Sequence, residues 1–116
     1  MNTLKVGSIC GKHCLSPDEG EALYNELYEA LQKGEDILLD FSGVETLASS
    51  FLNTAVGRLF GKFDYGFINA KLHWLGLDQQ DERVMRLVIE NAKEHFRKTE
   101  TEREATARIA GRAIGE

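Results

Sequence analysis

Ser49 and Ser50 stand side by side between a short apolar run, Ile37-Leu38-Leu39-Asp40-Phe41, and a set of apolar residues at helical spacing. Two hydroxyls at a handover from strand to helix can cap the helix, face a partner, or accept a phosphate. Serine is a favoured N-cap worth ~1 kcal/mol, so capping alone accounts for the pair. The sharper expectation is that one hydroxyl caps while the other faces a partner or takes a phosphate. A phosphate there adds a charge of about −1.5 to −2 and gains from the helix dipole. With Asp40 and Glu45 nearby, it would repel acidic partners.

Asp40 closes a run with the apolar bulk of a buried strand, so its carboxylate must be solvated at the strand tip or bonded to nearby backbone. The expected role is that of a turn former bonding the Ser42-Gly43 amides, rather than a general base. Sequence position supplies no histidine or cysteine to complete a nucleophilic set. Cys10-Gly-Lys-His13-Cys14 is the one metal-like cluster. It lacks a fourth ligand at the spacing a structural zinc site needs, so no metal is expected and the cysteines read as small hydrophobes. Gly7, Gly11 and Gly20 do not have the spacing of a dinucleotide-binding loop. No catalytic residue and no cofactor is expected.

The elements that must hold these residues are legible in outline. Thr3 to Ile9 alternates and reads as a strand near a sheet edge. Cys10 to Leu15 is a glycine-containing connection with room for a short second strand. Ser16, Pro17 and Glu19 spell an N-cap, a first helical residue and a capping box, and Gly34 is a natural terminator, which predicts a helix over 17–33. Its apolar face carries Leu23, Leu27, Ala30 and Leu31, flanked by Tyr24 and Tyr28.

Asp36 to Phe41 reads as a central strand. From Ser50 the residues Leu52, Ala55, Val56, Leu59, Phe60 and Phe63 predict one continuous helix, in which Gly57 and Gly61 allow close approach to the sheet. Asn69 to Leu77 is a third strand centred on Leu72–Leu75, with Trp74 in the core and His73 as a strand-end polar group. Asp78 to Lys98 predicts a last helix burying Val84, Leu87, Val88, Ala92 and Phe96. Phe51 and Tyr65 would anchor a partner if exposed.

Strands alternating with helices predict an α/β fold with a mainly parallel sheet of about four strands and helices packed on it. Residues 1–98 form one domain, and 99–116 a polar tail, helical or frayed. A net charge of −5 and a pI near 5.2 argue against a nucleic-acid binder. No apolar run is long enough to span a membrane, and the amino terminus lacks the apolar stretch of a secretory signal. A cytoplasmic protein is expected.

The stretch Asp40-Phe-Ser-Gly-Val-Glu-Thr-Leu-Ala-Ser-Ser-Phe-Leu52 resembles the signature of STAS domains, the module of anti-sigma-factor antagonists and sulfate-transporter tails. It is closer still to a STAS-like family of unknown function that carries Ser-Phe-Leu-Asn followed by Gly-x-Leu-Phe, here Ser50–Asn53 and Gly57–Phe60. The shared element order runs from Thr3 to Lys98. Two positions depart from the STAS pattern: Ala48 stands where an aspartate is usual and Phe51 where a glycine is.

The resemblance implies a non-enzymatic signalling module that docks a protein partner, a histidine-kinase-like ATPase of the anti-sigma kind, and is switched by phosphorylation of Ser50. Asp40, Ser42, Gly43, Ser49, Ser50, Phe51 and Asn53 are the expected docking residues. Neither nucleic acid nor membrane is expected as a partner, and self-association into a homodimer stays open. The alternatives are an adaptor or inhibitor that has lost phosphorylation, and a small nucleotide binder or enzyme using Asp40, Ser42 and Ser50.

Overall fold

The structure is a computed structural model that describes residues 2–113, with side chains described through residue 96. Three parallel strands form its sheet in the order β1 (Asn2–Lys5), β3 (Ile37–Asp40), β5 (Leu72–Leu75). A separate parallel ladder pairs β2 (His13–Cys14) with β4 (Thr46–Leu47). The strands alternate with α1 (Val6–Cys10), α2 (Pro17–Gln32), α3 (Ser49–Ala55), a 3-10 helix Gly57–Gly61, α4 (Tyr65–Lys71) and α5 (Gln79–Ala113). This is an α/β fold with parallel strands; the main sheet has three strands rather than about four, because β2 and β4 pair only with each other.

Register explains how the sheet is covered. Leu4, Leu39 and Trp74 are partners across the strands, as are Ile37 and Leu72, so these side chains share one face. Ile37 and Leu39 are fully buried there and Leu72 nearly so. On the other face Lys5, Asp40 and Leu75 are partners, with Leu38 and His73 beside them, and none of these is buried. The helices therefore cover one side of the sheet and leave the second open.

α2 begins as expected. Ser16 Oγ accepts the Glu19 amide at 3.3 Å, and Glu19 Oε1 accepts from the Ser16 amide at 3.4 Å. Pro17 occupies the first turn and Gly34, at φ 75°, closes the helix. Leu23, Tyr24, Leu27, Ala30 and Leu31 form its buried face.

Several expectations are corrected. The strand expected over Thr3–Ile9 ends at Lys5, where Val6 enters α1. Its neighbour β3 ends at Asp40, the partner of Lys5, so further extension would have no ladder to join. The single helix expected from Ser50 breaks at Val56 into α3 and the 3-10 turn. Gly57 and Gly61 there meet α5 rather than the sheet: a Cβ on Gly57 would lie 3.7 Å from Ala92 Cβ, and one on Gly61 2.5 Å from a ring carbon of Phe96.

Residues 65–71, of which 69–71 are expected as the start of the third strand, form α4, started by Asp64, whose carboxylate accepts the Gly66 and Phe67 amides. Among the described side chains of α5 the buried ones are Met85 and Val88, while Leu87 is 61% exposed. Leu87 lies about 200° around the helix from Met85, which puts it on the outer side. α5 also continues past Lys98 to Ala113. Of the tail expected over 99–116, the side chains and residues 114–116 lie outside the described residues.

Candidate functional site

The serine pair opens α3, but neither serine is its N-cap. Ala48 holds that position, with extended backbone at φ −100° and ψ 148° and no side-chain bond to the helix amides. Ser49 and Ser50 are therefore the first two helical residues, and both are exposed. The capping role expected of one of them is corrected for this reason: the strand-like backbone that a cap requires falls one residue earlier.

Ser50 is engaged differently. Its hydroxyl donates to the Leu15 carbonyl at 3.1 Å, tying the start of α3 to the residue before the Ser16 cap of α2. Leu15 is 47% exposed. A leucine in that place usually packs on an apolar residue at the fourth helical position, which here is Gly20 and offers no side chain. Leu15 thus stands out to solvent while its carbonyl holds the Ser50 hydroxyl. It is a functional candidate that sequence reasoning missed, although the glycine at position 20 was the signal for it.

Phe51 lies inside the core at 0% exposure and cannot be a docking contact. Its side chain belongs to the core, so the bulk at the position of the usual STAS glycine points inward and leaves the serine surface open. Asn53 is exposed further along α3, where it lines a groove of about 250 Å3 with Arg58, Asn91 and Phe96. Tyr65, 38% exposed, carries the Lys93 ammonium 4.3 Å above its ring.

Asp40, Ser42 and Gly43 gather elsewhere, at the carboxyl end of β3. Asp40 Oδ1 accepts the Ser42 amide at 2.9 Å, and bonds from the Ser42 hydroxyl and then its amide hold the carboxyl below its ordinary range. Asp40 is the turn former the sequence suggested. Gly43, at φ 85°, takes a left-handed conformation that lets the chain leave the strand. These residues line a cavity of about 330 Å3 together with Lys5, Gly7, Ser8 and Lys12. Ser50 is not among its walls, so the trio of Asp40, Ser42 and Ser50 expected of a nucleotide site is divided between two places.

The cysteine cluster is divided too. Adjacent strand residues point to opposite faces. His13 turns outward, with Nδ1 3.0 Å from Thr46 Oγ1 and Nε2 3.8 Å from Glu45, while Cys14 is buried. Cys10 donates to the Glu19 carbonyl at 3.3 Å. Burial first, and the neighbouring Cys14 and Glu19 next, push the Cys10 thiol up to about 12; burial and Glu19 push Cys14 to about 11. Such thiols are neutral at ordinary pH. Among the described residues no three His, Cys, Asp or Glu side chains converge as a metal site.

A three-stranded parallel sheet covered on one face, with a serine pair opening the helix after its central strand, defines a small α/β domain of STAS-like class. The chain belongs to the family described as STAS-like domain of unknown function (DUF4325), whose model matches residues 19–82. No curated protein and no solved structure matches the chain. Among the described residues no helix is long and apolar enough to cross a membrane.

Proposed function

We propose that this domain docks a regulatory protein through the surface around Leu15, Ser49 and Ser50, and that phosphorylation of Ser50 releases the partner. The observation that carries this reading is the bond from the Ser50 hydroxyl to the Leu15 carbonyl beside an exposed leucine side chain. A phosphate on Ser50 removes the only proton that hydroxyl can donate and replaces it with anionic oxygens. The carbonyl of Leu15 loses its donor and meets negative charge, so the connection before α2 must shift. An apolar anchor and a charge switch then occupy one patch. Resemblance to anti-sigma-factor antagonists supports a histidine-kinase-like ATPase as the partner.

The test uses that class of ATPase with ATP and magnesium. Mass spectrometry is expected to find phosphate on Ser50, and Leu15→Ala and Ser50→Asp are each expected to weaken binding at least tenfold. Wild-type affinity in both variants would overturn the docking surface. A second reading, an adaptor that docks without phosphorylation, draws on Ala48, which offers no carboxylate beside the serines. It is favoured if Leu15→Ala weakens binding while Ser50 stays unmodified.

A further inference from the structure

The open face of the sheet ends in a cavity whose wall chemistry differs from that of the chain as a whole. Lys5 closes β1 as the register partner of Asp40, and Lys12 comes from the connection before β2. Ser8 and Ser42 bring hydroxyls to the same space, and Gly7 and Gly43 bring backbone without side-chain bulk. Two lysines thus line one cavity in a protein of net charge −5.

The lysines also stand outside the ion pairs of the surface. Among the described residues neither Lys5 nor Lys12 forms an ion pair, whereas Lys33, Arg58, Lys71 and Arg86 each do. Asp40 is the counter-charge nearby: after the Ser42 hydroxyl and amide, the charge of Lys5 also lowers its carboxyl, but one carboxylate faces two lysines. Two segments distant in sequence, residues 5–12 and 40–43, therefore bring two lysines and two serines to one cleft at the carboxyl ends of parallel strands, where ligands of open α/β sheets bind.

The size and the remaining carboxylate select the ligand class. A volume of about 330 Å3 is at the lower end for small-molecule sites and holds roughly ten waters, more than a bare oxyanion fills. Asp40 repels a bare anion, yet it accepts hydrogen bonds from a hydroxyl. We infer that this cavity binds a small phosphomonoester that also carries hydroxyl groups, with the phosphate between Lys5 and Lys12 and a hydroxyl on Asp40. Lysine suits this role because its ammonium serves as a point charge for phosphate oxygens without demanding a fixed geometry.

The inference is independent of protein docking at Ser50, since it concerns the isolated chain and other residues. The test is an NMR titration of the full chain with ribose 5-phosphate, with inorganic phosphate and ribose as separate arms. Saturable shifts at the Gly7, Ser8 and Gly43 amides are expected with ribose 5-phosphate, with at least tenfold weaker binding of inorganic phosphate and none of ribose. Lys12→Gln, in an exposed connection, and Lys5→Gln are each expected to weaken binding at least tenfold. Absence of saturable shifts at those amides overturns the site. Wild-type affinity in both lysine variants overturns the phosphate position, and equal affinity for inorganic phosphate overturns the ligand class.

Discussion

Gly20 of α2 lies directly against Phe51 of α3: a Cβ on Gly20 would be 2.7 Å from the Phe51 carbonyl oxygen and 2.9 Å from Thr54 Cβ. The neighbour that would have to yield is backbone, in the middle of a helix pair that holds the serine surface in place. Two effects compete in Gly20→Ala. Alanine improves helix propensity by ~1 kcal/mol, while overpacking against an unyielding neighbour costs about 1–3 kcal/mol. The steric term is expected to win, lowering stability by about 1–2 kcal/mol in urea denaturation. A variant as stable as the wild type would show that the two helices can separate freely.

The vacant cap at Ala48 makes a second prediction. Its extended backbone already suits an N-cap, so Ala48→Asp is expected to stabilise the protein by about 1 kcal/mol. Ser49→Ala, at an exposed residue without a capping bond, should stay within about 0.5 kcal/mol of wild type. Ser50→Ala loses the bond to Leu15 and is expected to cost about 0.5–1 kcal/mol. If Ser49→Ala proves the most damaging of the three in denaturation midpoint, the cap has been placed wrongly.

The two thiols predict a one-sided pH dependence. Their folded values, about 12 for Cys10 and about 11 for Cys14, lie above the ordinary 9.0. Folding therefore favours the protonated forms. The associated stability is complete below pH 9 and is lost as pH rises toward 11 and 12. Iodoacetamide at pH 8 should alkylate the native chain far more slowly than the urea-unfolded one. Between pH 9 and 11 the wild type should lose more stability than Cys14→Ala, with tyrosines and lysines common to both. Equal labelling rates in native and unfolded protein would contradict the burial of these groups.

Trp74, the one tryptophan of the chain, reports on the junction of β5 and α5. Its indole Nε1–H donates to Glu82 Oε2 at 2.9 Å, and the Arg86 guanidinium lies 5.9 Å from its ring centre. Glu82→Ala is expected to cost about 1 kcal/mol, with the transition followed by tryptophan fluorescence. Glu82→Gln keeps an acceptor and should recover most of that loss. Identical losses in the two variants would assign the effect to something other than the indole bond.

What could be read from the sequence alone was what depends on a few neighbouring residues. Ser16, Pro17, Glu19 and Gly34 bracket α2 because a capping box and a left-handed terminator form within one turn. The apolar run at Ile37–Leu39 gave a central strand, and the segment from Asp40 to Leu52 carried the family resemblance. Tertiary structure decided what no local signal encodes. β1 stops at Lys5 because its neighbour stops at Asp40, and α3 breaks at Val56 where two glycines meet α5.

The same division holds for the sites. Residues 40–53 are continuous in the chain, yet folding sends Phe51 into the core, Asp40 and Ser42 to the lysine-lined cavity, and Ser50 to Leu15. Lys5, Lys12 and Leu15 carry no motif, and they became candidates only when strand register and helix packing brought distant segments together. Cap bonds and periodicity act over three or four residues and are written in the sequence. Register, burial and the meeting of charges depend on which segments are neighbours in space, and only the folded chain determines that.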